Sequence, residues 1–187
     1  MNVLLEKYKT EVLPSLQKEF SIPNVMAVPK LDKITVNVGV GKAAGDKKVI
    51  EGVVDTITRI TGQKPVLVKA RKSISNFKLR EGMVVGVMAT LRGDSMYDFM
   101  YKLVNITLPR VRDFRGINTK SVDADGNLNI GFKEHIVFPE IQSDEVEHVH
   151  GLEVAVTTTA KTREQGYRLL ELLGVPFKKD IKDSKNN

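Results

Sequence analysis

The segment from Thr61 to Arg80 is rich in basic residues, the side chains best suited to binding an anionic ligand. This stretch, TGQKPVLVKARKSISNFKLR, holds six basic residues and no acid. Isolated charges are costly to remove from water, so the run is expected at the surface. A polyanion neutralises such charges well, because each phosphate contact also releases condensed counterions. Hydroxyl and amide groups between the cations can donate to phosphate and ribose. The candidate nucleic-acid contacts in the run are Lys64, Lys69, Arg71, Lys72, Ser73, Ser75, Asn76, Phe77, Lys78 and Arg80.

The charge distribution along the chain agrees with this interpretation. Residues 1–120 contain 21 Lys and Arg against 11 Asp and Glu, whereas residues 121–187 contain 8 against 12. The total charge of +6 therefore conceals a first part at +10 and a second part at −4. The first part suits an anionic partner. A solvated loop with an accidental charge run is the alternative.

A glycine-rich segment, TVNVGVGKAAGDKK at residues 35–48, lies between a predicted strand and a predicted helix. Backbone N–H groups in this setting can bind phosphate. The spacing of Gly39, Gly41 and Gly45 is one residue longer than the dinucleotide fingerprint, and no G-K-[ST] closes a P-loop. The pattern therefore disfavours an enzyme that binds a free nucleotide. Two interpretations remain: close approach of an RNA backbone, and a turn that needs glycine only for its geometry.

The strand before this segment has two chemically different faces. Ile34, Val36, Val38 and Val40 alternate with polar or bare positions, which is typical of a strand with one buried face. Small neutral groups on the other face suit close approach to ribose and phosphate. The candidate RNA contacts on and around this face are Lys33, Thr35, Asn37, Gly39, Gly41, Lys42, Lys47, Thr90 and Arg92.

The remaining periodicity predicts four helices. Apolar side chains recur every four residues from Leu4 to Phe20, and Pro14 is expected to kink or split this first helix. The later helices are predicted to begin at the caps Asp46, Asp94 and Thr162 and to end at Gly62, Pro109 and Gly174.

The predicted strands define the fold class. Strands are expected at 33–41, 65–69, 83–92 and 152–159, with short β segments on either side of a turn at 123–127. The order β-α-β-β-α, an insertion and then β-α is close to the split β-α-β of ferredoxin-like and RNA-recognition folds. The predicted class is α+β with two layers: an antiparallel sheet, helices on one face, and an inserted β region. The free face of the sheet can then meet a ligand.

Aromatic residues are too few on these strands for base stacking. The chain has seven Phe, four Tyr and no Trp, and none of them falls at 33–40 or 83–92. RNA-recognition domains stack bases on two or three aromatics of their central strands. Folded RNA, held through phosphate, ribose and shape, is therefore the expected ligand.

The three histidines, His135, His148 and His150, match no metal motif. The chain has no cysteine, and no further histidine completes a zinc ligand set. Packed or surface histidines are the default interpretation. No motif marks a catalytic triad or a carboxylate pair, although such groups assemble in space without fixed spacing.

An acidic segment, EHIVFPEIQSDEVEHVH at residues 134–150, contrasts with the basic run. It holds five acids and no Lys or Arg. RNA would repel this segment, so it is expected to face away from nucleic acid and toward a basic protein. A plain solvated loop is the alternative.

Composition predicts a soluble, cytoplasmic protein. No apolar stretch reaches membrane-spanning length, and the N-terminus lacks the apolar core of a signal peptide. The absence of cysteine fits a reducing compartment. Residues 1–178 are expected to form one domain, followed by a polar, disordered tail at 179–187.

Several segments together resemble one family. EKYKTEVLPSLQKEF, VPKLDKITVNVGVG, ITGQKPVLVKARKSISNFKLREG and DFRGIN followed by GFKEHIVFPEI resemble the fifth protein of the bacterial large ribosomal subunit, the family that binds 5S ribosomal RNA. The likeness covers the chain from Met1 to about Lys178, and the motifs agree in order and spacing.

The resemblance implies a scaffold in the central protuberance of the ribosome, with no enzyme activity, cofactor, small-molecule substrate or membrane partner. Its implied partners are 5S rRNA, large-subunit rRNA, P-site tRNA and a basic small-subunit protein across an intersubunit bridge. Residues 73–78 are expected to approach the tRNA. The residues expected at the bridge are Arg110, Arg112, Arg115, Glu134, Glu140, Asp144 and Glu145.

Overall fold

A five-stranded antiparallel sheet organises the chain in the computed structural model, which describes residues 2–41, 46–142 and 148–178. The spatial order of the strands is β2, β3, β1, β5, β4. This order confirms the α+β class and the split β-α-β arrangement, and the inserted region supplies β4 at the edge beside β5. The strands are β1 Leu31–Gly39, β2 Val66–Lys69, β3 Val84–Leu91, β4 Leu128–Phe132 and β5 Leu152–Thr158.

The helices cover one face of the sheet, because every second residue of β1 is a branched apolar side chain. Val36 is fully buried and lies between Ala89 of β3 and Val154 of β5. No helix within the described residues is long and apolar enough to cross a membrane. The helices are α1 Val3–Lys7, α2 Leu13–Glu19, α3 Lys47–Thr61, α4 Gly93–Lys102, α5 Leu108–Arg110 and α6 Arg163–Leu172.

Capping residues fix the ends of α3 and the start of α6. The carboxylate of Asp46 accepts the N–H of Lys48 at 3.0 Å, and Gly62 ends α3 in the left-handed conformation with φ +67°. The hydroxyl oxygen of Thr162 accepts the N–H of Gln165 at 3.4 Å at the start of α6. Both sets of boundaries were predicted, because capping depends on residues adjacent in sequence.

The start of α4 differs from the prediction. The helix begins at Gly93 with Arg92 in the cap position, so the assignment of Asp94 as its cap was wrong. Asp94 instead lies in the first turn, where a negative charge complements the helix dipole.

Two π-helical turns accommodate the prolines inside helical rods. Residues Tyr8–Val12 join α1 to α2, and residues Leu103–Thr107 join α4 to α5; each is followed by Leu and then Pro. A proline ring clashes with the carbonyl four residues earlier and offers no N–H. A π turn changes the local hydrogen-bond spacing to five residues. Pro14 therefore alters the pitch of a continuous rod without splitting it, and the second rod continues to Arg110, one residue beyond Pro109.

The turn at 123–127 rests on α6 through two glycines. A Cβ atom on Gly166 would lie 2.3 Å from both the Cα and the carbonyl oxygen of Gly126, which itself has φ +80°. The Asp123 carboxylate holds this turn by accepting the N–H groups of Asp125 at 3.0 Å and Asn127 at 2.8 Å. Burial acts to raise the pKa of Asp123, but these hydrogen bonds lower it overall.

We predict opposite stability effects for one substitution at two helical glycines. Gly166→Ala should destabilise the fold by about 1–3 kcal/mol or more, because its methyl group overlaps backbone that cannot move freely. Gly52→Ala, on the exposed side of α3 with no atom within 4 Å of the new Cβ, should stabilise by about 0.5–1 kcal/mol. Urea unfolding of both variants measures the difference. Equal effects at the two positions would contradict the glycine contact.

Candidate nucleic-acid interface

Among the described residues, nothing covers the face of the sheet opposite the helices, and this face is polar. Lys33, Thr35 and Asn37 of β1 are half-buried on this side, and Gly39 is exposed. Thr90 of β3 lies directly opposite Thr35 in the strand register. The antiparallel pairing thus brings five of the predicted RNA contacts onto one surface.

Two rows of residues cross this surface, which we call the open face. Their side chains are small or neutral except for one carboxylate, and none is aromatic. The first row crosses the strands through Thr90, Thr35, Ala155 and Asn129, and the second through Val66, Met88, Asn37, Glu153 and Gly131.

Gly39, at one end of the open face, has no internal requirement for glycine. It lies opposite Gly86, its φ is outside the left-handed region, and a Cβ atom built on it would meet no atom within 4 Å. Gly41 likewise has a φ outside the left-handed region, and a Cβ atom built on it would meet no atom within 4 Å. Glycine in a strand often marks close approach of a ligand or another backbone. The geometry therefore favours close approach over a turn that needs glycine for its conformation.

The N-terminus of α3, which follows these glycines, already holds an anion. The carboxylate of Asp46 accepts the N–H of Lys48 there, so a free phosphate would have to compete with the protein's own cap. Lys47 is exposed beside it. Lys42 and Gly45 lie outside the described residues.

The later part of the basic run forms a hairpin between β2 and β3, which we call the basic hairpin (residues 70–83). Ala70 donates its N–H to the carbonyl of Met83 at 2.8 Å, and a bridge pairs Ile74 with Leu79 nearer the tip. A 3-10 turn, Ser75–Phe77, makes the reversal. The hairpin therefore has a preferred shape set by its own backbone bonds.

The cations of the run are exposed and form no ion pair within the described part of the chain. Phe77 at the tip is 71% exposed, Ser75 and Asn76 are exposed beside it, and the hydroxyl oxygen of Ser73 accepts the N–H of Glu81 at 2.9 Å. Ser73 thus shapes the hairpin as well as offering a donor. The unpaired cations are Lys64, Lys69, Arg71, Lys72, Lys78 and Arg80.

Arg92 differs from these cations, because its guanidinium lies 3.3 Å from the carboxylate of Asp32. Both side chains are largely exposed, and such surface pairs contribute little to stability. Arg92 can therefore exchange this partner for a phosphate at small cost.

A cleft of about 960 Å³ separates the basic hairpin from α3 and from two stacked histidines. The buried ring of His135 lies 4.0 Å from that of His150, centroid to centroid and nearly parallel. The backbone N–H of His150 donates to Nδ1 of His135 at 3.2 Å. Burial, and then the neighbouring His135, lower the pKa of His150 to about 4. His148 is exposed on the same wall.

This histidine pair serves packing. It ties the start of the acidic segment to its end. In the described ranges, no three His, Cys, Asp or Glu side chains come close enough together to hold a metal ion.

The acidic segment is already partly engaged within the molecule. Glu140 forms an ion pair with the ammonium of Lys102, which also donates to the carbonyl of Ile60 at 2.6 Å. Glu134 is exposed. The cations predicted to lie beside this segment, Arg110, Arg112 and Arg115, are exposed as well. Asp144 and Glu145 lie outside the described residues.

Sequence reasoning missed the half of the open face contributed by β5 and β4. Only strand pairing brings these residues onto the same surface as β1. Glu153 and Ala155 of β5 pair with β1 directly, and Asn129 and Gly131 of β4 pair in turn with β5. Their local signal is alternation, since the residues between them in each strand are buried. Alternation shows that a strand has an outer face, but not which strand it adjoins.

Comparison with known proteins places the chain among ribosomal proteins. A family model described as ribosomal protein L5 matches residues 24–80, and a second, described as the C-terminus of the ribosomal L5P family, matches residues 84–177. The large ribosomal subunit protein uL5 of Halothermothrix orenii is 56% identical over 177 residues, covering 95% of this chain and 99% of that relative. Those of Desulfatibacillum aliphaticivorans and Lactobacillus johnsonii are 55% and 53% identical, each over at least 95% of this chain and 99% of the relative. These matches confirm the resemblance that the sequence motifs carry.

The histidine pair predicts a specific loss of stability in acid. The pKa of His150 is lowered from 6.5 to about 4 on folding, so its contribution is full above pH 6.5 and is lost as the pH falls through 4. Allowing for its partial exposure, we expect wild-type protein to lose on the order of 1–3 kcal/mol more than His150→Gln between pH 7 and pH 4. Urea unfolding at several pH values measures this difference. His148→Gln, at an exposed position, is the matched control, and a His150→Gln curve parallel to wild type would contradict the assignment.

Proposed function

This chain belongs to the ribosomal protein L5 family, and from that premise we propose that it binds 5S ribosomal RNA and attaches it to the large ribosomal subunit. Membership makes it a structural protein of the large subunit, with the ribosome and its RNA as partners. It takes part in translation and acts in the ribosome, and so in the cytoplasm. We propose that residues 1–178 act as a single RNA-binding unit.

The observation that carries the proposal is the bare, polar strand end on the open face. Thr35 and Asn37 offer neutral hydrogen-bonding groups, and Gly39 lets a phosphate or ribose approach the backbone. These groups suit the sugar–phosphate backbone of folded RNA. The absence of aromatic side chains from both rows supports recognition by shape over stacking of single-stranded bases.

The open face gives the first test of 5S RNA binding. Asn37→Ala should cost about 1–3 kcal/mol of affinity if its amide donates to a charged phosphate, and Gly39→Val should cost more because it excludes the backbone. Filter binding at moderate salt measures both. Asn105→Ala, an exposed asparagine on a helix, is the control. Wild-type affinity in both open-face variants would rule out this surface.

We propose that the basic hairpin supplies a second contact, with its flanks against large-subunit RNA and residues 73–78 near P-site tRNA. The support is its four exposed cations, which have no ion-pair partner within the described residues, and its exposed tip. Unpaired cations gain most from phosphate contact, because they break no existing ion pair.

Salt dependence tests the hairpin contact. Replacing Lys72 and Lys78 with Ala should flatten the slope of log affinity against log salt by roughly one to two units for large-subunit RNA, since each neutralised phosphate contributes about 0.7–0.9. The matched control replaces Lys9 and Lys18, exposed on the N-terminal helices. An unchanged slope would mean that the two hairpin lysines only contact solvent.

We propose that the acidic segment and the Arg110–Gly116 loop face a basic protein of the small subunit. Exposed charge pairs contribute little affinity but guide orientation, and they can exchange partners as the subunits rotate. Glu140 is the least available of the proposed bridge residues, because its carboxylate is paired with Lys102.

Charge reversal tests the bridge. Asp144→Lys with Glu145→Lys should weaken subunit association at low magnesium, measured by sedimentation, and leave 5S RNA affinity unchanged. Glu140 is left intact because its reversal would also break an internal ion pair. Glu51→Lys with Glu164→Lys, on exposed helical positions, controls for net charge. Lost RNA binding with normal subunit association would reverse the assignment of the two surfaces.

A further inference from the structure

Glu153 places a carboxylate in the middle of the open face. The strand register puts it opposite Asn37 of β1 on one side and Gly131 of β4 on the other. Its side chain is exposed and has no ion pair or hydrogen bond within the described residues. A surface that only held phosphates would lose affinity from this charge, since like charges repel in proportion to their proximity.

The surroundings of Glu153 leave room for a flat group above it. Its neighbour on the same face along β5 is Ala155, and a Cβ atom on Gly131, opposite it in β4, would meet nothing within 4 Å. The side chain of Asn37 leans toward β3, where its Oδ1 would lie 3.7 Å from a Cβ on Gly86. The carboxylate therefore stands alone on a platform of small residues.

We propose that Glu153 is a specificity-determining residue that reads an unpaired guanine of the RNA on the open face. This inference rests on the proposed function. A carboxylate accepts hydrogen bonds only, so its partner on RNA must be a donor and cannot be a phosphate. The Watson–Crick edge of guanine presents two adjacent donors, N1–H and the N2 amino group, to the two carboxylate oxygens. That edge is free only when the base is unpaired, which is where proteins read RNA sequence.

The carboxylate then has two effects on binding. It stabilises the complex with a base that offers two adjacent donors, and it repels RNA that would place phosphates across the centre of the face. Asn37 and Gly39 beside it have no net charge and cannot make this distinction. Specificity of this kind includes a repulsive element against the wrong partner.

The experiment compares wild-type protein, Glu153→Gln and Glu164→Gln, the last being an exposed acid at the start of α6. Affinity is measured for 5S RNA and for a competitor RNA of the same length and scrambled sequence at one salt concentration. Glu153→Gln should lower the ratio of the two affinities about tenfold or more, as expected for loss of a two-bond base contact. Affinity for the competitor should stay equal or rise, and Glu164→Gln should leave the ratio unchanged.

Kethoxal modification of the complexes identifies the base, because this reagent attacks N1 and N2 of unpaired guanines. Wild-type protein should protect a guanine that becomes reactive again in the Glu153→Gln complex. Identical protection by both proteins, with an unchanged affinity ratio, overturns the inference and leaves the proposed function intact. Failure of wild-type protein to bind 5S RNA at all would overturn both.

Discussion

The central strand β1 must satisfy two opposite requirements along the same nine residues. One side carries branched apolar groups that are stable only when helices remove them from water. The other side carries Thr35, Asn37 and Gly39, which no element of the described chain covers. Because side chains alternate strictly in a strand, a shift of one residue would exchange the two faces. Pairing on both sides with β3 and β5 fixes the register, and so fixes which surface is left open.

The basic and acidic segments are placed in different parts of the structure. The basic hairpin joins β2 to β3, which pairs with β1, so its exposed cations lie beyond the Gly39 end of the sheet. The acidic segment is anchored elsewhere, by the stacked His135 and His150 and by the pair of Glu140 with Lys102. The basic hairpin and the acidic segment are thus held by different parts of the fold. Such separation allows each surface to repel the partners that suit the other.

Local sequence predicted the parts of the fold that depend on neighbouring residues. The alternation in β1, the Asp46 cap and the Gly62 stop are of this kind. Features set at longer range could not be predicted from the sequence: the π turns before Pro14 and Pro109 leave the first rod unsplit and carry the second past its expected stop, and α4 begins before Asp94. The β4 and β5 half of the open face depends on strand pairing across more than a hundred residues. The role of Glu140 in an ion pair depends on Lys102, which no charge pattern in its own segment reveals.

Methyl NMR spectroscopy of the protein with and without 5S RNA tests the central claim most directly. Met88 and Ala155 carry methyl groups on the open face, whereas Ala89, next to Met88 in β3, faces the helices and is buried. The account predicts that RNA shifts or broadens the signals of Met88 and Ala155 and leaves Ala89 close to its original position. A complex formed with unchanged Met88 and Ala155 signals would contradict the claim that RNA lies on the open face of the sheet.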